Sequence, residues 1–443
     1  MVQTLNSDFQ FPDELPATPR RGGASSVKLP LVLVLIALTM FLPEESSFHF
    51  GEFRMTVYRL LLLLIAPAIL FRFAKLAAGG NYRFVWSDVL VPVTGLWMFV
   101  GPAEINGFDQ TLVYSGTTAL EFCIPYMATR VFLTERGQAV ALVRILCIAI
   151  ATIGLLAIPD EFSRRFVLRE FVGSLTGYHK NFGDYSLLMR DFLFRCASTL
   201  EHPIALGNAC SFGLLMATTM RGALRKFMLA GSAVGLALSV SSAPIGGAIV
   251  GFGALLYNKL LRNFPFRWGF LYASAAGVIL LIFNAHPNPW GFIFNHFTFD
   301  SSTAYYRLMQ WEFVGPLVMD SPIFGIGLFS GWQEESGLAP TIDSNWLLTA
   351  MSFGIPGSIL IGLSYITACS VSMDIGNKSL NLTKQERQLG FVLSVITGLI
   401  IYVGFTVDYW GTISVLTMFL AGIRAHLGAL GAMPRELGLD DDG

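Results

Sequence analysis

The sequence predicts an all-α, multi-pass membrane protein with about twelve transmembrane helices and two long loops on one face. Three observations support this prediction. Of the 443 residues, 53% are apolar and only 13% are charged, whereas about 25% of residues are charged in a typical soluble domain. The mean hydropathy is +0.59, and long apolar runs fill most of the chain. These values exclude a disordered chain, a coiled coil and an ordinary soluble enzyme. The net charge of −1 gives no indication of a nucleic-acid partner.

A helix needs about 20 apolar residues to cross the ~30 Å core of a bilayer. Twelve such segments lie between a polar tail at 1–28 and a second tail at 428–443, so residues 29–427 are predicted to form one transmembrane domain. The first segment lacks the small-residue cleavage site of a signal peptide and is predicted to be retained. The predicted spans are 29–43, 55–71, 86–101, 110–128, 138–158, 203–220, 227–241, 244–261, 268–284, 346–371, 388–406 and 409–425.

The distribution of basic residues predicts the orientation of the chain. If both tails are cytoplasmic, the inner segments hold 19 of the 29 Lys and Arg residues, in agreement with the positive-inside rule. Two connections, at about 159–201 and 284–345, are long, and both fall on the outer face. Loops of this length are usually functional or disordered. These two are rich in aromatic residues, which favour the membrane interface and can also stack on sugars.

The first outer loop carries six basic residues, against the positive-inside rule. Phosphate is the natural partner of arginine, because the planar guanidinium can donate to two oxygens at once. Arg195 lies near the membrane and is followed by Glu201 and His202, so a functional role is predicted for it. Three other arginines are predicted to lie on a solvated amphipathic face: Arg164, Arg165 and Arg169.

The second outer loop contains Arg307, with Trp311 four residues later. This spacing puts both side chains on one face of a helix. Pro322, Gly325 and Gly327 then predict a tight turn that ends the helix.

Polar residues also mark the entry of the tenth predicted span. Asp343, Ser344 and Asn345 stand at its start, and Gly354 with Pro356 predicts a break inside it. The second loop therefore combines an arginine, a tight turn and a polar entry to a broken span.

The stretch from Ser302 to Gly357 resembles the core signature of the bacterial O-antigen polymerase and O-antigen ligase superfamily. That signature is an Arg followed by a Trp, a Pro-x-x-Gly-x-Gly turn, a polar pair entering a span and a Gly-rich break. The segment from Arg195 to Gly207 resembles a second family element, and twelve spans with long loops after the fifth and ninth also match. Ligases carry a His where this chain has Ser344. The closer likeness is therefore to exopolysaccharide polymerases of the succinoglycan type.

The resemblance implies a GT-C-like glycosyltransferase of the bacterial inner membrane, with its active site facing the periplasm. Such an enzyme moves a glycan from a polyprenyl-pyrophosphate carrier onto a second lipid-linked glycan. The implied partners are this donor and acceptor, the lipid bilayer, and chain-length regulator and export proteins. Arg195 and Arg307 would then bind the pyrophosphate, and no cofactor or metal is expected. Supporting roles fall to Arg190, Trp311 and Asn345.

Three side chains near the membrane could act as the general base for the attacking sugar hydroxyl. These are Glu201, His202 and Asp343, and the sequence does not choose among them.

Three other functions remain open at this point: an O-antigen ligase, a secondary transporter or lipid flippase, and a structural partner of a polysaccharide export assembly. Charges inside spans usually mark transport pathways. A structural ion pair between Glu121 and Arg144, on adjacent predicted spans, is expected to account for two of them. The other two are Asp88 and Asp408.

Overall fold

The computed structural model describes residues 27–50, 53–80, 82–178, 185–190, 192–289, 291–292, 301–327, 342–373 and 381–432. Helices dominate this part of the chain, together with two short antiparallel hairpins. The hairpin strands are β1 (Ser47–Phe50), β2 (Phe53–Thr56), β3 (Met189–Arg190) and β4 (Leu193–Phe194). The helices are α1 (Leu31–Thr39), α2 (Val57–Ala78), α3 (Ser87–Asn106), α4 (Phe108–Phe132), α5 (Gln138–Leu155), α6 (Ile158–Ser163), α7 (Val167–Thr176), α8 (Pro203–Ala217), α9 (Leu224–Leu238), α10 (Ser242–Leu260), α11 (Arg267–Ala285), α12 (Ser301–Asp320), α13 (Asn345–Ala368), α14 (Lys384–Val403) and α15 (Gly411–Gly431).

Each of the twelve apolar segments coincides with one of these helices, which supports an all-α multi-pass membrane protein. Within the described ranges, seven helical stretches are long and apolar enough to cross a bilayer: α2, α3, α5 with α6, α11, α13, α14 and α15. In contrast, α1 has only nine residues. At about 1.5 Å per residue it is shorter than the bilayer core. The count of twelve spans therefore stays a prediction.

The last helix, α15, forms the centre of the bundle. Almost every residue along it is buried, and it packs against α4, α8, α13 and α14. Its approach to α4 depends on Gly422, where an added Cβ would lie 1.9 Å from the Thr129 Oγ1. Small residues allow such close helix contacts in membranes, where no hydrophobic force drives helices together.

The predicted ion pair between Glu121 and Arg144 is wrong. Glu121 accepts hydrogen bonds from the Arg59 Nε at 2.6 Å and from the Tyr58 hydroxyl at 2.8 Å. Arg144 is exposed on the surface of α5. The physical reason is which helices pack together: α4, which carries Glu121, lies against α2, whereas α5, which carries Arg144, lies against α8 and α9. Helices that follow each other in the chain are not the partners here.

A second buried ion pair joins the neighbouring helices α3 and α4. The Arg130 guanidinium donates to both oxygens of Asp88, each at 2.7 Å. Both side chains are almost completely buried. Two of the charges predicted inside spans, Asp88 and Glu121, are therefore neutralised within the protein.

The break in α13 and the tight turn before it are both confirmed, and the two features contact each other. Gly354 has φ +72° and interrupts α13. The Ile326 amide donates to the Met351 carbonyl at 2.9 Å, and the Ile355 amide donates to the Pro322 carbonyl at 2.8 Å. The turn thus takes up backbone groups that the broken helix leaves unpaired.

Candidate functional site

Arg307 lies on the buried face of α12, with only 5% of its surface exposed. Its Nε is 3.5 Å from the Asp343 Oδ2, a distance typical of an ion pair rather than of a hydrogen bond. One turn later on α12, the Gln310 side-chain oxygen accepts a hydrogen bond from the Asp343 amide at 3.0 Å. Two groups on α12 therefore fix the position of Asp343, just before α13 begins.

Arg195 reaches the same place from the first outer loop. It follows β4, and its amide donates to the Leu188 carbonyl at 3.0 Å. The Arg195 side chain lies close enough to Arg190, Arg307 and Asp343 for their charges to interact. The structure thus brings together residues that the sequence predicted separately, from two different loops.

The positive charges in this cluster outweigh the negative charge that faces them. Burial lowers the pKa of Arg195 to about 10, with a further lowering from Arg190 and Arg307 that Asp343 opposes. The buried Nε of Arg195 has no hydrogen-bond partner among the described residues. Asp343 interacts with Arg307 and Arg195, and Arg190 interacts with both of these arginines, so this excess of positive charge favours an anion. We call Arg190, Arg195, Arg307 and Asp343 the arginine cluster.

Burial also affects the protonation of Asp343. Desolvation raises the pKa of its carboxyl group, while Arg307 and Arg195 act in the opposite direction. The side chain remains about 30% exposed. A carboxylate with these surroundings can accept a proton from a group outside the cluster.

Glu201 has a structural role in this arrangement. Its Oε1 accepts hydrogen bonds from the Thr412 amide and the Thr412 hydroxyl, both at 2.8 Å. Thr412 lies in the first turn of α15, where amide groups lack partners within the helix. Burial, reinforced by Glu44, raises the pKa of Glu201, and the Thr412 amide opposes this. The second carboxylate oxygen has no hydrogen-bond partner within the described ranges.

His202 caps the next helix. Its Nδ1 accepts from the Ile204 amide at 3.2 Å, at the start of α8. Its ring packs edge-on against Trp410, with the ring centroids 5.8 Å apart. The hydrogen bond occupies the lone pair that a general base would need at Nδ1.

The predicted exposure of Arg169 is wrong. Arg169 is completely buried, whereas a solvated face was predicted. It donates to the Glu45 carboxylate at 2.8 Å, and to the carbonyls of Leu200 and Glu201 at 2.9 and 3.1 Å. These bonds fix the backbone between the arginine cluster and α8. The prediction of exposure is confirmed for the other two arginines, Arg164 and Arg165.

Trp311 and Asn345 support the site through packing and backbone contacts. Trp311 packs on an apolar cluster of α12 and α13 that includes Val314 and Leu347. The Asn345 amide donates to the Gly404 carbonyl at 2.8 Å and to the Val407 carbonyl at 3.1 Å. The entry of α13 is thereby joined to the loop at 404–410.

That loop adds a residue that the sequence analysis treated only as a charge within a span. Asp408 follows Val407 and is half-buried. Burial raises the pKa of Asp408 to about 7, and Asp343 contributes to the rise. Two carboxyl groups thus interact at the edge of the arginine cluster. The signal available in the sequence was an acidic residue at the outer end of a span.

Several predicted features lie outside the described residues. They include Lys180 and Asp191 of the first loop, and most aromatic residues of the second, namely Trp290, Phe294, Phe297, Phe299 and Trp332. In the described part of the chain, no group of three or more His, Cys, Asp or Glu residues could hold a metal ion. No protein-family model matches the chain, and no curated protein matches its sequence.

Proposed function

We propose that this protein polymerises lipid-linked oligosaccharide repeat units at the periplasmic face of the inner membrane. It would transfer the growing glycan from a polyprenyl-pyrophosphate carrier to the next unit, as the resemblance to O-antigen and exopolysaccharide polymerases implies. The observation that carries the proposal is the meeting of Arg195 and Arg307, from two outer loops, around the single carboxylate of Asp343.

Pyrophosphate is the group that best suits this cluster. Its adjacent phosphates present several anionic oxygens, and each guanidinium can donate two parallel hydrogen bonds. When the bond from the anomeric carbon to the pyrophosphate oxygen breaks, the electron pair moves onto the leaving group. Cations already held at that position lower the barrier, because no reorganisation is needed as the charge develops.

The acceptor hydroxyl forms the new bond to the anomeric carbon and must lose its proton. Asp343 is the base that the geometry favours among the three predicted, because it alone faces Arg195 and Arg307. The Glu201 Oε1 and the His202 Nδ1 instead cap α15 and α8. The Asp408 carboxyl interacts electrostatically with Asp343 and is a second acidic group beside this base.

A deletion strain tests the proposal. It should lack long polysaccharide and accumulate single lipid-linked repeat units on the periplasmic side. A strain that has lost a ligase would keep long polymer on its lipid carrier, and one that has lost a flippase would hold the units on the cytoplasmic leaflet. Either of these outcomes, or polymer of normal length in the deletion strain, would refute the polymerase function.

A further inference from the structure

A cavity of about 580 Å³ lies among α10, α11, α14 and the end of α13, away from the arginine cluster. Its wall is mostly apolar, with residues such as Val250 and Leu399, and two aromatic side chains of α11, Trp268 and Tyr272, border it. The last turn of α10 and the α10–α11 connection at this end carry the exposed residues Lys259 and Arg262. By the positive-inside rule this is the cytoplasmic end.

Arg424 of α15 forms part of the cavity wall, and only 1% of its surface is exposed. Its Nε donates to the Ser394 hydroxyl at 2.7 Å, and its Nη2 donates to the Val371 carbonyl. Its Nη1 has no hydrogen-bond partner in the described ranges. No described carboxylate forms an ion pair with it either, which distinguishes it from Arg59, Arg130 and Arg169. A buried charge in a membrane protein is costly without a counter-charge.

The cavity is accessible from the side of the bundle. α11 is apolar, yet its membrane-length window has no buried residue. It packs on the bundle near its beginning, where the Trp268 ring lies 5.7 Å from Tyr257 and 5.9 Å from Phe391. An apolar helix with exposed sides lies against lipid chains in a bilayer. Lipid can therefore approach the space between α11 and α14.

We propose that this cavity binds one anionic phospholipid from the cytoplasmic leaflet. The headgroup phosphate would lie against the part of the cavity wall that Arg424 forms and would neutralise its charge. The acyl chains would lie along the apolar wall between α10, α11 and α14. Lys259 and Arg262 would favour a lipid with net negative charge, because each basic residue near the surface attracts anionic headgroups. This inference is independent of the proposed glycosyl transfer.

Native mass spectrometry of the full chain in detergent, titrated with phosphatidylglycerol or phosphatidylcholine, tests the proposal. Arg424→Gln removes the charge. Gly398→Leu fills the cavity instead and leaves Arg424 in place, because Gly398 lines the cavity and an added Cβ there meets nothing within 4 Å. The matched control is Gly246→Leu, at the other end of α10, where the Cβ position is also open.

Wild type and Gly246→Leu should retain one phosphatidylglycerol and prefer it to phosphatidylcholine. Both cavity variants should weaken its binding at least about ten-fold, Arg424→Gln by loss of the charge and Gly398→Leu by loss of space. If Arg424→Gln does not fold, Gly398→Leu decides the question alone. Unchanged binding in Gly398→Leu, or equal affinity for the two lipids, would overturn the proposal. Displacement of the lipid by excess inorganic phosphate would show a free-anion site and would overturn it as well.

Discussion

The Asp343 carboxylate lies 3.5 Å from the Arg307 Nε, although the two residues are separated by a tight turn and by the end of a helix. Gln310, on the same face of α12 as Arg307, holds the Asp343 amide. The second outer loop is therefore closed at its base by polar contacts. The charge of Arg195, from the first loop, interacts with those of Arg307 and Asp343.

Two substitutions of Glu201 test whether this residue caps α15 or acts as the general base. Glu201→Gln keeps an oxygen that can accept from the Thr412 amide, so polymer formation in purified membranes should remain near the wild-type level. Glu201→Ala removes the cap and should lower the free energy of unfolding by about 0.5–2 kcal/mol. A folded Glu201→Gln variant without activity would assign the general base to Glu201 instead of Asp343.

The contact between the turn and the broken helix depends on Gly354. A Cβ at this position would lie 1.9 Å from the Ile323 carbonyl oxygen, and φ is +72°. Gly354→Ala should cost at least about 1–2 kcal/mol from the left-handed backbone alone, and should lower the thermal midpoint and the activity together. Gly246→Ala, with open space and no positive φ, is the control. Equal thermal midpoints for the two variants would contradict this account of the turn.

Arg169 should be the most important arginine for stability in the first loop. Arg169→Ala leaves the buried Glu45 carboxylate without its partner and should destabilise the protein by about 3–5 kcal/mol. Arg165→Ala should change the thermal midpoint little, because its contact with Glu170 is exposed and 3.7 Å long. Thermal unfolding of the two variants in the same detergent makes the comparison. Similar midpoints would mean that Arg169 is not part of the buried core.

The raised pKa of Asp408 predicts how the stability of the protein depends on pH. The pKa is about 7 in the folded protein, above the value of about 3.9 in an unfolded chain. The folded state therefore binds this proton more tightly, so the stabilising contribution is complete below about pH 4 and is lost as the pH rises through about 7. Asp408→Asn cannot ionise, so its thermal midpoint should rise relative to wild type between about pH 4 and pH 7 and stay level above that. Parallel pH profiles for the two proteins would contradict the raised pKa of Asp408.

Local patterns in the sequence predicted the helices well. Each of the twelve segments predicted from apolar length coincides with a helix, and Pro322 with Gly325 predicted the turn. The break at Gly354 followed from the same rule, since a glycine close to a proline favours a break in a helix. The contact of that break with the turn was not predicted, because nothing local specifies which backbone groups meet.

Long-range contacts account for the errors. Arg169 was expected on a solvated face because its partners, Glu44 and Glu45, come from the segment that follows α1. Glu121 was paired with Arg144 because their spans are adjacent in the chain, whereas the packing order pairs Glu121 with Arg59. In the candidate site, the sequence indicated Arg195 and Arg307 through separate motifs. Only the fold brings them to one carboxylate.

The most direct test of the central claim is a double-mutant cycle on Arg195 and Arg307. Polymer formation from lipid-linked repeat units is measured in purified membranes, with protein levels checked separately. Either substitution by Lys should lower the rate about 10²–10³-fold, because Lys keeps the charge but loses the planar fork. Arg164→Lys, on the exposed surface, should be near neutral. If both arginines hold one pyrophosphate, the double variant should lose less than the product of the single effects. Full activity in Arg307→Lys, or losses that multiply strictly, would contradict a shared pyrophosphate site.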